Sequence, residues 1–397
     1  MKAGWQTKKL GDFSAAISTG PFGSLLHKSD YVDDGVPLVN PTNMVNDRIL
    51  PDVSMLISET TRQRLSNYVL EEGDIVVGRR GEIGRCAVVG PTEAGWLCGT
   101  GSFFIRPLPS IDSQFVAHLI RSGTYRGKLE EAATGTTMKN LSNAALSDLV
   151  VSIPPLPEQQ RIVGILDEAL DGIATAKADA EKNLQSARAL FESYLQAVFT
   201  ERGKGWVTRK LGEVAEVQSG GTPLVSRKEY WGGDIPWYSS GELNALHTTD
   251  PERHVTAVGL GHSNAKPFPK GSLLIGMYDT AALKMSILDR DGAFNQAIAG
   301  VRPNDAIEME FILHAINAIK PSLLLERRGV RQKNLSLGKI KDIAIPLPKP
   351  SAQRAAVARL QAVSNETQRL ESIYRQKLAA LDALKKSLLD QAFTGVL

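Results

Sequence analysis

The stretch that decides the fold is 158–200, which reads EQQRIVGILDEALDGIATAKADAEKNLQSARALFESYLQAVFT. It contains no proline and only two glycines, Gly164 and Gly172. Apolar residues recur along it with a heptad period, the pattern of a helix that packs against another helix. The predicted seam, with one polar interruption at Lys177, consists of Val163, Leu166, Leu170, Ile173, Lys177, Ala180, Leu184, Ala187, Phe191, Tyr194 and Val198.

A second heptad pattern runs through 351–397 and predicts a matching helix. Its seam is predicted to consist of Leu360, Val363, Thr367, Leu370, Tyr374, Lys377, Leu381, Leu384, Leu388 and Gln391. A helix of about 42 residues extends roughly 60 Å, too far for one small domain to cover. The two helices are therefore predicted to run antiparallel and cover each other, with an ordinary two-helix stalk as the alternative.

The remaining sequence contains an internal repeat, and the matching residues occur in the same order in both copies. A repeat of this length indicates two equivalent structural units. Short β-branched runs bounded by glycines predict strands within each unit, so the fold class is α+β. The matches are Trp5 with Trp206, Gly20 with Gly221, 73–78 with 271–276, His118 with His314, 139–141 with 333–335, Ile153 with Ile345 and Gln160 with Gln353.

Proline clusters at the end of each unit give the predicted domain boundaries. The first globular domain is 1–157 and the first long helix is 158–201. The second globular domain is 202–350 and the second long helix is 351–397.

Composition narrows the class of protein without deciding it. The 397 residues carry a net charge of +3 at pH 7, which does not by itself establish nucleic-acid binding. Cys86 and Cys98 form no metal-binding or disulfide pattern, so both are expected to be reduced packing residues. No apolar run reaches the roughly 18 residues that a membrane span needs, and we expect a cytoplasmic protein with no membrane partner.

Sequence motifs for catalysis are missing. The sequence has no P-loop and no nucleophile elbow, and its six histidines lack the usual spacing of metal ligands. The segment Asn40-Pro41-Thr42-Asn43 lacks the second proline and the aromatic residue of a DNA methyltransferase tetrad. We therefore predict no catalytic residue and no metal site.

Three loops carry the polar, aromatic and cationic side chains that could bind nucleic acid. The loop after 73–78 differs between the copies, and its side chains are predicted to approach bases, since arginine pairs bidentately with guanine. A solvated hairpin tip is the alternative. These candidates are Arg79, Arg80 and Arg85 in the first copy and Tyr278 and Lys284 in the second.

The second loop has a local excess of cations, which suits phosphate contact. The alternative is a charged loop near a helix end. Its candidates are Lys139, Asn140, Arg327, Arg331, Lys333 and Asn334. The third loop follows a Val-Pro or Ile-Pro pair, and its candidates are Asn40, Asn43, Trp237 and Tyr238.

Taken in order and duplicated, these motifs resemble the specificity subunits of type I restriction-modification systems. The motifs are Trp-x-x-x-Lys-Leu-Gly-Asp/Glu, the 73–78 strand, the Lys-Asn-Leu loop and the Ile-Pro-x-x-Pro-Glu-Gln-Gln-Arg start of a long helix at 153–161. The second copy departs from the pattern at 349–354, and its 279–284 loop lacks glycine.

The resemblance implies two target recognition domains that each read half of a bipartite site in double-stranded DNA. It implies that the helices space these domains and dock two methyltransferase (modification) subunits, which restriction/translocase subunits join. The chain itself would bind no cofactor. S-adenosylmethionine would belong to the methyltransferase subunits, and ATP and Mg to the restriction subunits.

Two other functions are compatible with the residues alone. One is a self-contained methyltransferase or restriction enzyme with unfamiliar motifs. The other is a coiled-coil adaptor with no DNA role, which the modest net charge favours.

Overall fold

The computed structural model describes residues 4–135, 139–201, 203, 205–278, 281–325 and 335–394. The chain forms two compact units. Unit 1 comprises Met1–Glu181 with Gln376–Leu397, and unit 2 comprises Lys182–Arg375. Each unit combines strands with helices, so the predicted α+β class and the two repeated domains with long helices are confirmed.

Unit 1 contains two four-stranded sheets and two two-stranded sheets, one that joins its first and last strands and one formed by a short hairpin. The strands are β1 (Gln6–Lys9), β2 (Ser14–Thr19), β3 (Tyr31–Val32), β4 (Val36–Val39), β5 (Met44–Val45), β6 (Arg48–Ile49), β7 (Leu56–Ile57), β8 (Ile75–Gly78), β9 (Cys86–Val88), β10 (Leu97–Cys98), β11 (Ser102–Pro107) and β12 (Val150–Ile153). The helices are α1 (Glu59–Arg64), α2 (Ser113–Arg121), α3 (Gly123–Ala132), α4 (Asn143–Ser147) and the start of α5 (Leu156–Thr200). The sheet orders are β2-β11-β8-β9 and β10-β4-β7-β3, with β1 beside β12.

Unit 2 repeats this plan. Its strands are β13 (Val207–Lys210), β14 (Val217–Ser219), β15 (Trp231–Tyr238), β16 (Arg253–Val255), β17 (Leu273–Gly276), β18 (Met285–Ile287), β19 (Ala293–Phe294), β20 (Ile298–Val301) and β21 (Ala344–Leu347). Its helices are α6 (Leu211–Val214), α7 (Ala257–Gly261), α8 (Met309–Leu325), α9 (Leu337–Lys341) and the start of α10 (Pro350–Thr394). The sheet orders are β14-β20-β17-β18 and β16-β15-β19, with β13 beside β21.

The central strand β8 is buried on both faces, which explains its uninterrupted apolar sequence. Ile75 and Val77 point into a core that contains residues of α2, α5 and α10, whereas Val76 points toward the second sheet. Successive side chains of a strand alternate between the two faces of its sheet. In unit 2, Leu273 and Leu274 divide between two cores in the same way.

The two long helices each contain 45 residues and run antiparallel. Within unit 1, Lys177 Nζ lies 2.5 Å from Asp382 Oδ1. Within unit 2, Arg188 Nε lies 3.4 Å from Glu371 Oε2. Residue numbers thus rise along one helix as they fall along the other.

The seam of α5 is as predicted, but three of the ten predicted seam positions of α10 are exposed. In α5 the most buried seam positions include Leu166 and Ala180, both 0% exposed. In α10, Lys377, Leu384 and Gln391 are exposed, and the positions one residue later, Leu378, Lys385 and Ala392, are half-buried or buried instead. A straight helix drifts about 20° per heptad, so a strict seven-residue repeat loses the buried face along its length.

The two cysteines are buried and free. Burial raises the pKa of both the Cys86 and the Cys98 thiol. Their placement agrees with the predicted packing role. Among the described helices, none is long and apolar enough to cross a membrane.

Candidate nucleic-acid interface

Four segments of unit 1 meet where β4, β8 and β10 end. The Arg79 N–H donates to the Gly101 carbonyl at 3.1 Å, and the Leu141 N–H donates to the Arg79 carbonyl at 3.0 Å. The Asn40 carboxamide oxygen accepts from the Gly101 N–H at 3.3 Å. We call residues 40–44, 79–85, 99–101 and 139–141 the unit 1 loop edge.

Unit 2 has the same backbone hydrogen bonds in the equivalent places. The Met277 N–H donates to the Ala297 carbonyl at 2.9 Å, and the Leu335 N–H donates to the Met277 carbonyl at 2.8 Å. Met277 therefore occupies the position of Arg79, although the side chains have nothing in common. We call residues 239–242, 277–278, 281–284, 295–297 and 335 the unit 2 loop edge.

Arg79 and Asn140 are brought together on the unit 1 loop edge. Arg79 Nε donates to Asn140 Oδ1 at 3.1 Å, and the guanidinium lies 5.5 Å from the centroid of the Phe103 ring. Partial burial and the neighbouring Arg80 charge lower the pKa of Arg79. The half-buried Arg79 is thus held in one orientation, while Arg80 is exposed.

Arg85 and Asn43 connect loops of unit 1 to each other. The Arg85 guanidinium forms an ion pair with Glu82 and donates to the carbonyls of Pro41 and Met44 at 3.3 and 3.4 Å. Asn43 is 5% exposed and its amide donates to the Leu50 carbonyl at 2.9 Å. Asn43 was predicted as a DNA-binding candidate, but its side chain is enclosed and holds two parts of the same loop together.

Trp237 and Tyr238 were predicted to lie in a loop that binds nucleic acid, but the structure places both in a strand and buries them. They are 5% and 1% exposed. Trp237 Nε1 donates to the Gly221 carbonyl at 3.0 Å, and Tyr238 Oη lies 3.5 Å from Asp289. Both residues belong to strand β15 and pack in the core of unit 2.

The reason for this error is a shift in matching the two copies. Trp237 and Tyr238 pair in parallel with β19, as Leu38 and Val39 pair in parallel with β10. The counterpart of Asn40 is therefore Ser239, whose backbone N–H donates to Glu242 Oε2 at 2.7 Å. Counting residues from the shared Val-Pro and Ile-Pro pairs gives Ser239 and Glu242, which sequence reasoning missed.

The other candidates differ in the exposure and the contacts of their side chains. Tyr278 packs half-buried against the core of unit 2, and Lys284 Nζ donates to Asn244 Oδ1 at 3.0 Å. Lys139 is exposed, with its ammonium 3.4 Å from the Glu130 carbonyl. The remaining candidates, Arg327, Arg331, Lys333 and Asn334, lie outside the described residues.

Comparison with known proteins identifies the family. The model of the type I restriction modification DNA specificity domain matches 2–183 and 203–379, one match in each copy. The chain belongs to the specificity subunits of type I restriction-modification systems. The predicted family is confirmed, and the chain is a non-catalytic specificity subunit rather than a self-contained methyltransferase or a structural adaptor.

Individual relatives share modest sequence identity with this specificity subunit. The MjaIX specificity subunit of Methanocaldococcus jannaschii is 28% identical over 156 residues, 38% of this chain and 36% of that relative. The EcoKI specificity subunit of Escherichia coli K12 is 24% identical over 392 residues, 92% of this chain and 83% of that relative. The crystal structure of the HsdS subunit from Thermoanaerobacter tengcongensis has the same fold, with a TM-score of 0.70, 22% identity and coverage of 100% of this chain and 98% of that one.

Proposed function

We propose that this specificity subunit reads a bipartite site in double-stranded DNA, with one half-site bound by the loop edge of each unit. The observation that supports this is the shared frame of the two loop edges. Arg79 and Met277 make the same two backbone hydrogen bonds, yet Arg79 is a half-buried cation at the edge and Met277 is an apolar residue buried in the core of unit 2.

Other equivalent positions on the loop edges differ as well. Asn40 corresponds to Ser239 and Arg85 to Lys284, as their backbone hydrogen bonds show. A rigid scaffold that carries different polar groups on its loops suits recognition of different ligands. Because base pairs present distinct donor and acceptor patterns in the major groove, the two units would read different sequences.

The long helices would bind the other subunits of the complex. Each helix exposes large apolar side chains, Ile165 and Leu190 on α5 and Ile373 and Leu384 on α10, with 38% to 51% of each exposed. Two methyltransferase subunits would dock there, and restriction/translocase subunits would join them. S-adenosylmethionine would be held by the former, and ATP and Mg by the latter, with none bound by this chain. The complex would act in the cytoplasm.

A domain exchange tests the proposal. Replacing 1–157 by the equivalent domain of a relative should change one half of the methylated site and leave the other half intact. The grafted domain should keep a phenylalanine at position 115, since Phe393 packs on it. Replacing 202–350 is the reciprocal variant, and mapping methylated sites in cells is the measurement. Both halves changing in either variant would contradict independent reading.

A further inference from the structure

One loop exposes large apolar side chains at the same place in both units. It follows β2 in unit 1 and β14 in unit 2, and we call 20–26 and 220–226 the apolar loops. Phe22 is 57% exposed and Leu25 is 38% exposed. Leu224 and Val225 are each 60% exposed. Two copies with different sequences thus present the same kind of surface.

Each apolar loop lies against the loop edge of its own unit. In unit 1 the Gly20 N–H donates to the Ser102 carbonyl at 3.0 Å, and a Cβ at Gly20 would lie 2.1 Å from the Gly99 oxygen. In unit 2 a Cβ at Gly220 would lie 2.5 Å from the Asn295 oxygen. The exposed apolar side chains therefore follow within five residues of a backbone contact with the loop edge for which we propose DNA contact.

Side chains from neighbouring elements hold both apolar loops in place. In unit 1, Arg64 Nη1 donates to the Leu25 carbonyl at 2.9 Å. In unit 2, Trp231 Nε1 donates to the Leu224 carbonyl at 3.4 Å, and the Trp237 bond described above holds the start of the same loop. Different residues thus fix the backbone of the apolar loop in each unit. Exposed apolar groups on a fixed backbone suit a binding contact, because little conformational entropy is lost when a partner binds.

An exposed cation follows each apolar loop. Lys28 begins a 3₁₀ turn in unit 1, and Lys228 begins the equivalent turn in unit 2. A cation beside an apolar tip matches a DNA groove, where phosphates flank the base edges. The apolar group that a base pair offers in the major groove is the thymine 5-methyl group.

We propose that Phe22 in unit 1 and Leu224 with Val225 in unit 2 contact thymine methyl groups and help to determine which half-site each unit reads. The inference rests on the proposed function. It adds specificity-determining residues that lie outside the loops containing the charged candidates.

The test compares thymine with uracil, which lacks the 5-methyl group. The chain is purified with its methyltransferase subunit, and the site is taken from methylation mapping. Binding is measured on duplexes in which each thymine is replaced in turn by uracil. One replacement in the first half-site should lower the DNA affinity of the wild-type complex about fourfold, which is the effect of losing one buried methyl group. The Phe22→Ala complex should be indifferent to that replacement.

The second half-site is tested in the same way with Leu224→Ala and Val225→Ala. The matched control is Val150→Ala, which removes a side chain that is 51% exposed on β12 and belongs to a strand paired with β1 rather than to the loop edge. This control should keep the full uracil sensitivity of the wild type. Because all four side chains are exposed, the variants should assemble with the methyltransferase subunit normally.

Two results would overturn the inference. The wild-type complex could be sequence-specific yet indifferent to every thymine methyl group. The Phe22→Ala complex could keep the wild-type sensitivity to uracil, and a loss of affinity beside it would indicate a wedge between bases or general packing. A wild-type complex without any sequence preference would instead contradict the proposed function itself.

Discussion

Phe393 packs edge to face on Phe115 in unit 1, with the ring centroids 5.2 Å apart. Phe393 comes from the end of α10, whereas Phe115 lies in α2 of the first globular domain. The equivalent pair in unit 2 is Phe199, from the end of α5, and Phe311, with centroids also 5.2 Å apart. Each globular domain therefore completes its core with the end of the long helix that follows the other domain.

This packing predicts a large loss of stability in unit 1 when Phe393 is truncated. Phe393 is 8% exposed, and removing a buried phenylalanine side chain typically costs about 3–5 kcal/mol. Hydrogen exchange of the β8 amides in Phe393→Ala should show this loss in the free energy of opening. Leu384→Ala is the control, since Leu384 on the same helix is 47% exposed. Equal protection in both variants would show that the helix end adds nothing to the core.

A second prediction concerns the joint between α5 and the first globular domain. Gln159 is 1% exposed, accepts from the Asp112 N–H at 2.7 Å and donates to the carbonyls of Ser110 and Pro154 at 3.2 and 2.8 Å. Gln353 makes the equivalent three bonds in unit 2. Gln159→Ala leaves buried polar groups without a partner and should cost about 1–3 kcal/mol.

Its neighbour provides the matched control. Gln160 is exposed, so Gln160→Ala should leave the urea midpoint of unfolding unchanged. If the two variants unfold alike, the hydrogen bonds of Gln159 do not stabilise the joint. The pattern of bonds also corrects the sequence match, which joined Gln160 rather than Gln159 to Gln353.

The sequence predicted the repeat and the long helices because both depend on patterns that persist over many residues. It failed where equivalent positions of the two copies carry different types of residue. There, matching by residue type moved Trp237 and Tyr238 from the core of unit 2 to its surface. Arg85 connects two loops by donating to two carbonyls that lie about forty positions away in the sequence. No local sequence pattern predicts such long-range hydrogen bonds.

A third prediction addresses base reading at Arg80. Arg80 is exposed beside the fixed Arg79 side chain and is predicted to approach a base. Arg80→Ala should relax sequence preference in the first half-site by about 1–3 kcal/mol, the value of one bidentate contact. Competition binding between the mapped site and single-base variants measures this. Unchanged discrimination at every position of that half-site would refute the assignment.

A fourth prediction concerns phosphate contact by Lys139. This exposed cation should bind DNA without regard to sequence. Lys139→Ala should therefore lower the affinity for all duplexes by the same factor. The slope of log affinity against log salt should flatten by about 0.9. Arg161→Ala is the control, because Arg161 pairs with Glu158 at the start of α5. If Lys139→Ala and the control have the same slope, Lys139 does not contact a phosphate.

The last prediction treats the helices as the ruler that sets the spacing of the two half-sites. Four residues inserted near Ala180 would lengthen α5 by about 6 Å and rotate its far end by roughly 40°. DNA advances about 3.4 Å per base pair, so the unread spacer should grow by one or two base pairs. A matching insertion near Lys377 should be required, because the Lys177–Asp382 and Arg188–Glu371 ion pairs lie on either side of these points in both helices.

Mapping the methylated sites of the double-insertion variant tests whether the helix length sets the spacing. The half-site sequences should stay as they are, since neither loop edge is altered. The single insertion in α5 serves as the control, and it should lower activity because one helix then slips against the other. An active double insertion with an unchanged spacer would refute the ruler. A changed base sequence in either half-site would instead mean that the helices take part in reading bases.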